Sequence, residues 1–587
     1  MREDGYQRCP GDIIADPLNL KKRMTMAKNY TVFLILVSLL AACSKARNET
    51  EQLPAVAAAP ADPSEIISQG LASITLETLQ GHLDYLADDA RMGRMTGTEG
   101  YAAAADYVSA QFASLGLEPA GNDGWYQQVP LLANRIDVDK SGVTMHRDSG
   151  DSGLTWKEDY VMNGDKVRPE TSVRAEVVYV GYGIHAPGMN YSDYDGVDVS
   201  GKIVALFGGA PATFPHNERA FYSSRRTKAE EMVQRGAAGW IGMRSRVDQK
   251  RYPWERLTLN AGLRPGMSWL NLSGNAADHH AEIEAGATIS VPTAAELFDG
   301  TPISFEDALN AADEGRMLST PLGIEVTISQ KTDHERTTSP NVVAILRGSD
   351  PQISDEYIVF SAHLDHVGTG AAVDGDEIYN GFYDNAMGVS LLLEAARAFA
   401  AMPEPPRRSI LFIALTGEER GLLGSDYYAH YPTVPSDSMV ANVNLDMPLL
   451  LYPLADVIAF GAEHSTLEGQ IETAVAAEGF ALTPDPVPEE VLFIRSDQFS
   501  FVRQGVPSVF LVPGFTSSDP DIDGEAAFRE HLATHYHRPS DDNTRTVDWD
   551  SALRFARANV RIGYTVATDE ERPSWNDGDF FGDRFKK

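Results

Sequence analysis

The sequence predicts an α/β protein with a doubly wound, mostly parallel sheet that has helices on both faces, joined to an inserted β-rich domain. Three observations predict this class. After residue 338, apolar runs alternate with amphipathic stretches, as in sheets whose strands are connected by helices. Between about residues 131 and 335 the pattern changes to short β-type runs with many glycines. The length of 587 residues is more than one ordinary core fills, so two domains with appendages are expected.

The chain begins with a predicted targeting segment. Lys28 precedes the apolar run TVFLILVSLLAAC, which is too short to span a bilayer and fits the core of a signal peptide. The final LAAC resembles the bacterial lipobox, which implies removal of residues 1–42 and a lipid on Cys43. An ordinary secretory signal cut near the same alanines is the alternative. We therefore expect an extracytoplasmic protein whose lipid anchors it to a bacterial membrane, on the periplasmic side of the outer membrane.

A tether and the first helices are predicted next. Residues 43–65 are rich in alanine, proline and charge, which is typical of a flexible tether. In residues 66–130, leucines recur at helical spacing from Leu76 to Leu86, and a second helical pattern ends before Gly116.

Residues 131–335 predict a separate β-rich module. The phrase DYDGVDVSGKIVALFGG, followed by KAEEMVQRGAAGWIGM, resembles the protease-associated (PA) domain, which is found inserted in secreted peptidases. The resemblance implies a small β-rich domain that restricts access to a neighbouring site or holds a partner.

Residues 336–570 predict the parallel sheet, and residues 571–587 a carboxy-terminal tail. The buried strands are expected in the runs PNVVAIL, EYIVFSAH, SILFIALT, VANVNLDM, DVIAFGA and VPSVFLV. The helices are expected in NAMGVSLLLEAARAFA, TLEGQIETAVAAEG and SALRFARANVRIGYTVA.

The charge balance excludes one class of partner. The chain has 49 basic and 84 acidic residues, a net charge of -35, so the phosphates of a nucleic acid would be repelled.

Polar side chains follow the predicted strands at the edge of the sheet where ligands bind in open α/β folds. Each one alone has an ordinary explanation as a helix cap, a turn residue or a surface histidine. Their collection at one edge is what points to a functional site: His363, Asp365 and His366; Asp384; Glu418 and Glu419; Asp446; His537 and Asp541.

A cluster of two imidazoles and three or more carboxylates that is not paired with Lys or Arg would be electrostatically unstable, so it requires cations. Nitrogen and oxygen ligands without thiolate suit zinc best, with manganese or cobalt as alternatives. His363 and Asp365 are two residues apart on a strand and point to one face, so Asp365 is expected behind His363, where its carboxylate fixes the tautomer.

Five motifs carry a family resemblance. In chain order, SAHLDHVG, YDNAMG, TGEERGLLGS, NVNLDM and YHRPSDD resemble the five blocks of the co-catalytic dizinc exopeptidases, the twenty-eighth metallopeptidase family. That family includes bacterial leucyl-type aminopeptidases and glutamate carboxypeptidase. The resemblance covers about residues 340–567, and LADDARMGRMTGTEGYAAAADYV resembles the family's amino-terminal block.

The resemblance implies a role for each matching residue. Asp384 bridges two Zn²⁺ ions, the first held also by His363 and Asp446 and the second also by Glu419 and His537. Glu418 is the general base that takes a proton from a water bridging the metals. It also implies a strained, possibly cis, peptide bond between Asp384 and Asn385.

Several functions remain open at this stage. The leading hypothesis is an aminopeptidase acting on peptides, and the second is a carboxypeptidase of the glutamate carboxypeptidase type, with Arg495 or Arg538 binding the substrate carboxylate. Glutaminyl cyclisation and a catalytically dead binding protein are less favoured, because all five ligands and the base are present. Gln498 stands where the family often has His, which puts one substrate contact in doubt.

Overall fold

The computed structural model describes residues 63–587. The predicted signal peptide, the lipidation of Cys43 and the tether up to residue 62 lie outside the described residues. The first helix begins at Pro63, within the segment predicted as tether. The domain boundaries at 66–130, 131–335, 336–570 and 571–587 stay predictions.

Strands and helices alternate through most of the described chain. The strands are β1 (Glu118–Pro119), β2 (Tyr126–Ile136), β3 (Gly142–Arg147), β4 (Gly150–Gly153), β5 (Tyr160–Val161), β6 (Glu170–Val180), β7 (His185–Ala186), β8 (Tyr191–Ser192), β9 (Ile203–Phe207), β10 (Gly239–Met243), β11 (Gly266–Trp269), β12 (Ala285–Ile289), β13 (Ser319–Leu346), β14 (Tyr357–His363), β15 (Gly368–Val373), β16 (Asp376–Tyr379), β17 (Ser409–Leu415), β18 (Met439–Asn444), β19 (Asp456–Phe460), β20 (Ala481–Leu482) and β21 (Ser508–Pro513). The helices are α1 (Pro63–Ala72), α2 (Leu76–Leu86), α3 (Glu99–Ser114), α4 (His216–Ser223), α5 (Arg225–Gln234), α6 (Arg246–Arg251), α7 (Trp254–Leu259), α8 (Val291–Leu297), α9 (Phe305–Asp313), α10 (Met387–Ala400), α11 (Leu423–His430), α12 (Leu467–Ala477), α13 (Gln498–Val502), α14 (Gly524–Thr534), α15 (Trp549–Thr568) and α16 (Phe580–Phe585).

The main sheet has a parallel centre. Strands β17, β14, β18 and β21 lie side by side in that order and run parallel. β13 borders β17 and β19 borders β21, and both run antiparallel to the strands they border. The carboxyl ends of the four central strands therefore meet at one edge.

Alternate residues of the central strands pack on opposite faces, as strand geometry requires. In β14, Ile358 and Phe360 belong to the large core that includes α10 and α15. Tyr357 and Val359 face the other way, towards Tyr428 of α11 and Phe501 of α13. Helices thus cover both faces, and the predicted α/β class is confirmed.

A second sheet with its own apolar core lies earlier in the chain. It contains the parallel strands β6, β9, β10 and β12, with β3, β4 and β5 pairing antiparallel at its margins. Between β10 and β12 the chain leaves this sheet to form α6, α7 and β11, and β11 pairs with β2 of the main sheet.

One long strand belongs to both sheets. The first half of β13 pairs with β3 and β6 in the second sheet, and its second half pairs with β2 and β17 in the main sheet. The two sheets are therefore joined by a continuous hydrogen-bonded backbone.

Among residues 63–587, none of the helices combines the length and apolar character needed to cross a bilayer.

The core predicts a large cost for truncating Phe360. Its side chain is fully buried, and its ring lies 5.7 Å from the rings of Phe399 and Phe412. We expect Phe360→Ala to lower the free energy of unfolding by about 3–5 kcal/mol, because it leaves a cavity that the surrounding helices cannot fill. Leu272 is the matched control, because its side chain is 81% exposed. Leu272→Ala should change the free energy of unfolding by less than about 0.5 kcal/mol. Urea denaturation followed by tryptophan fluorescence measures both, and equal effects would contradict this description of the core.

Candidate metal centre and active site

Each predicted site residue lies where a central element ends. His363 is the last residue of β14, Glu418 and Glu419 follow β17, and Asp446 follows β18. Asp384 lies in the tight turn 382–386 that opens α10, and His537 follows α14. The site is thus assembled from five separate stretches of chain.

The turn that carries Asp384 depends on a glycine. Gly381 has a φ of +63°, and an added Cβ there would lie 2.1 Å from the carbonyl oxygen of Asp384. A side chain therefore does not fit at this position. The peptide bond between Asp384 and Asn385 is cis, which agrees with the resemblance.

The first group of potential ligands contains His363, Asp384 and Asp446, all buried. The Nε2 atom of His363 lies 3.1 Å from Oδ1 of Asp446 and 3.3 Å from Oδ1 of Asp384. The structure therefore brings together the three residues predicted for the first ion.

The second group shares Asp384 and contains one residue more than predicted. The Nε2 atom of His537 lies 3.1 Å from Oδ2 of Asp384 and 3.1 Å from Oε2 of Glu419. His366, which was noted at the strand end but not assigned as a ligand, places its Nδ1 atom 2.8 Å from Oε1 of Glu419. The second group is thus His366, Asp384, Glu419 and His537.

The donor atoms of the second group fit a divalent cation. Nδ1 of His366, Oε1 of Glu419 and Nε2 of His537 are buried, yet none has a hydrogen bond of acceptable geometry to another described residue. Atoms that lie this close without being aligned for hydrogen bonds converge as ligands do around an ion. Imidazole nitrogens and carboxylate oxygens without thiolate are the set expected for zinc.

Asp365 has a different partner from the one predicted. The Nδ1 atom of His363 donates to the backbone carbonyl of Asp365 at 3.0 Å, whereas the nearest carboxylate oxygen of Asp365 is 4.0 Å away. That carboxylate instead accepts hydrogen bonds from Thr96 and from the backbone N–H groups of Glu418 and Glu419. Asp365 therefore orients the turn with the two glutamates, and a carbonyl fixes the tautomer of His363.

Glu418 belongs to neither group of ligands. It lines the same cavity as Asp384 and Asp446. Burial raises the pKa of Glu418 well above its usual range, and the carboxylates of Asp446, Glu419 and Asp497 add to this, against the opposing effect of His363. A carboxyl group with a raised pKa beside a cavity is suited to proton transfer.

A buried arginine lies under the site. Arg94 is fully buried and donates to the carbonyl oxygens of Leu86, Leu364, Asn380 and Gly381 at 2.6–3.0 Å. Burial lowers the pKa of Arg94 to about 10, partly offset by carboxylates of the site, so its guanidinium stays charged at neutral pH. Arg94 thus ties together the turns that precede Asp365 and Asp384.

The cavity beside the site is lined by both apolar and polar side chains. It has a volume of about 980 Å³, including space open to solvent. Apolar lining residues come from the loop after β18, from β21 and from α14: Met447, Leu449, Leu451, Phe510, Val512 and Leu532. The polar lining residues include Arg251, Tyr252, Arg256, Glu490 and Arg495.

Other residues near the site have structural roles. Phe382 and Tyr383 are buried in the main core, and the Tyr383 hydroxyl donates to the carbonyl of Thr546. Gln498 accepts a hydrogen bond from Asn444 and donates to the carbonyl of Phe493, so it is part of a buried network. Arg538 is not among the residues that line the cavity, whereas Arg495 is.

The part of the sequence that forms this site is similar to known proteins. Residues 341–562 match the model of Peptidase family M28. The matched region, residues 341–562, contains every residue of both ligand groups, together with Glu418.

Relatives and solved structures agree with this match. A "Probable zinc metalloprotease" of Pyrenophora teres f. teres is 35% identical over 147 residues, which cover 24% of this chain and 30% of that protein. The "probable leucine aminopeptidase 2" of Aspergillus oryzae is 26% identical over 259 residues, covering 42% of this chain and 48% of that protein. The matched parts thus span less than half the length of these two relatives. The solved aminopeptidase from Aneurinibacillus sp. strain AM-1 has a similar fold, with a TM-score of 0.51 at 18% identity, over 85% of this chain and 96% of that one.

Two residues near the site were not found from the sequence, and a third was found without its role. His366 was noted at the strand end, but the family resemblance gives it no ligand role. Arg94 and Tyr252 lie outside the region that matches the family, 269 and 111 residues before His363. Only the fold brings them to the site.

The shared ligand predicts an unequal loss of metal. Because Asp384 belongs to both groups, Asp384→Ala should abolish binding of both ions, whereas Asp446→Ala should leave about one ion per chain in the second group. Elemental analysis of the purified variants measures the zinc content. Equal zinc contents in the two variants would contradict the assignment of Asp384 as the shared ligand.

Proposed function

We propose that the protein is a zinc-dependent exopeptidase with two metal ions, an aminopeptidase that removes amino-terminal residues from peptides. The observation that supports it most is the pair of ligand groups sharing Asp384, with the unligated carboxyl group of Glu418 beside them. His363 and Asp446 complete one group, and His366, Glu419 and His537 complete the other.

The residues of this chain have distinct tasks in that reaction. Bound divalent ions supply Lewis-acid polarisation of the peptide carbonyl and lower the pKa of water. Glu418 takes a proton from the attacking water and delivers it to the leaving amine, because it lines the cavity beside the ligands, belongs to neither ligand group and, unlike Glu490, is not paired with arginines. Asp365 fixes the direction of Glu418 through the backbone N–H groups of the turn.

The shape of the cavity supports a preference for apolar side chains. The apolar lining residues, among them Met447, Leu449 and Leu451, supply no side-chain hydrogen-bond partner, so burying a polar side chain against them would cost free energy. We therefore propose that the residue released is apolar, with leucine-like size.

A carboxypeptidase is the second candidate. The guanidinium groups of Arg251, Arg256 and Arg495 at the cavity favour it, because they are suited to bind a carboxylate. Two of them are already engaged, since Arg251 lies 2.9 Å and Arg495 3.3 Å from Oε2 of Glu490. Because Arg251 and Arg495 already bind the carboxylate of Glu490, they are less available to a substrate carboxylate, which favours the aminopeptidase.

Two further proposals concern the rest of the chain. We propose that residues 131–335 are a PA-type domain, on the basis of the sequence resemblance and the separate second sheet. We also propose that the mature protein is anchored through a lipid on Cys43, outside the cytoplasm, on the basis of the LAAC motif alone.

The two adjacent glutamates provide the first test. We expect Glu418→Gln to keep both ions and to lose activity on leucine p-nitroanilide by about 10²–10⁴-fold, because only the proton-transfer group is removed. Glu419→Gln is the matched control and should lose zinc, because it removes a ligand. Zinc content and kcat, measured on the same preparations, test whether Glu418 is the general base. A fully active Glu418→Gln variant would rule out that role.

Peptides with a free or a blocked amino terminus distinguish the aminopeptidase from the carboxypeptidase. A Leu-Gly-Gly peptide with a free amino group should be hydrolysed, and its amino-acetylated form should not, since an aminopeptidase requires the free amine. Mass spectrometry of the products identifies the residue released. Cleavage of the acetylated peptide from its carboxyl end would favour the carboxypeptidase instead.

A further inference from the structure

The carboxy-terminal end of the chain packs behind a loop that lines the cavity. Residues 488–496, the cavity loop, lie between β20 and α13. Four of them line the cavity beside the metal centre: Glu490, Leu492, Arg495 and Ser496. The element behind this loop is α16, which lies outside the region that matches the family model.

The cavity loop has two faces. Leu492 and Arg495 line the cavity, whereas Phe493, which lies between them, does not. Phe493 is only 3% exposed and belongs to an apolar cluster with side chains from β19, β21, α13 and α16. Phe493 therefore anchors the loop from behind, while its neighbours in sequence face the site.

Phe581 of α16 is a direct partner of this anchor. It is fully buried, and its ring centre lies 5.2 Å from that of Phe493, with the two rings edge to face. The same ring lies 5.1 Å from the ring of His464 and 5.9 Å from that of Phe499. Close contacts between buried rings stabilise such a cluster, so Phe581 fills the space behind Phe493.

Polar contacts fix α16 in this position. The carboxylate of Asp579 accepts a hydrogen bond from the N–H of Gly582 at 2.7 Å, which caps the helix. Its other oxygen lies 2.7 Å from Nδ1 of His464. Nε1 of Trp575, just before the helix, donates to the carbonyl of Gly505 at 2.9 Å. Phe581 is thus carried by a helix that is tied to the parallel-sheet part of the chain.

The cavity loop needs support from outside, because it contains a strained residue. Val491 has a φ of +48°, in the left-handed region that a β-branched residue rarely adopts. Such a conformation persists only where the surrounding structure holds it. Before it in the chain, Glu490 forms ion pairs with Arg251 and Arg495. After it, Phe493 is enclosed by the apolar cluster.

We propose that Phe581 is a positioning residue for substrate specificity, which acts through Phe493 to hold the cavity loop where the cavity fits a leucine-sized side chain. The inference rests on the proposed peptidase function and on the apolar preference proposed with it. Phe581 is not among the residues that line the cavity, so its effect on the substrate passes through the loop. The predicted carboxy-terminal tail, residues 571–587, thereby takes part in substrate selection.

The first test is Phe581→Ala. The truncation leaves a space into which the ring of Phe493 relaxes, so the cavity loop moves away from the site and the cavity widens. We expect the ratio of kcat/KM for leucine p-nitroanilide to kcat/KM for phenylalanine p-nitroanilide to fall about 10-fold, mainly through KM, with zinc content unchanged. Phe360→Ala is the matched control, because it removes the same ring from the main core, and it should leave the ratio unchanged. Both variants are assayed where circular dichroism shows them folded.

A double-mutant cycle tests whether the effect passes through Phe493. Phe493→Ala should lower the same ratio, and adding Phe581→Ala to it should change the ratio by less than about twofold, because the group through which Phe581 acts is already removed. Phe581→Leu keeps part of the side-chain volume and should lower the ratio less than Phe581→Ala. It takes the place of the alanine variant if that variant does not fold.

The outcomes separate this inference from the proposed function. An inactive wild-type protein with both ions bound would refute the peptidase function, and this inference with it. With an active wild type, an unchanged ratio in the Phe581 variants would refute the inference alone. An equal shift in Phe360→Ala, or independent effects of Phe493→Ala and Phe581→Ala in the cycle, would also refute it, because either result shows that Phe581 does not act through the cavity loop.

Discussion

Buried carboxylates need positive charge close to them, and the candidate site depends on this constraint. Asp365, Asp384 and Asp541 are nearly inaccessible to solvent, and Glu418 and Glu419 lie beside them. Such a group is unstable in a protein interior unless cations or hydrogen-bond donors compensate it. The chain supplies part of the compensation through the guanidinium of Arg94, and the two ligand groups fit ions that would supply the rest.

The parallel sheet brings these charged side chains together without distorting its strands. Successive strands end at the same edge, so side chains distant in sequence become neighbours without any strand leaving its register. The backbone N–H groups of Glu418 and Glu419, which follow β17, donate hydrogen bonds to the carboxylate of Asp365. These bonds fix the turn from which the two glutamate side chains leave in different directions. A ligand and a general base can therefore occupy consecutive positions.

The sequence predicted the elements and ligands that depend on local pattern. Strands β14, β17, β18, β19 and β21 and helices α10, α12 and α15 lie where the apolar periodicity predicts them. The five ligands were predicted from the motifs that carry the family resemblance. The partner of Asp365 was misjudged, because side chains two residues apart on a strand indicate proximity but not which oxygen accepts the hydrogen bond. Arg94 and Tyr252 could not be assigned, because the contacts that bring them to the site join residues more than two hundred positions apart and no spacing rule describes such pairs.

The continuity of β13 through both sheets limits how this protein can be taken apart. Removing residues 131–335 would cut β2 and β13 in the middle of their shared ladder and leave β17 beside a truncated edge strand. The same continuity means that the second sheet cannot move away from the main sheet as a loosely linked module would, because β13 pairs with strands of both sheets through consecutive backbone hydrogen bonds. The second-sheet segment therefore contributes to the framework on which the candidate site is built, since β17, which precedes Glu418 and Glu419, pairs with the end of the same strand.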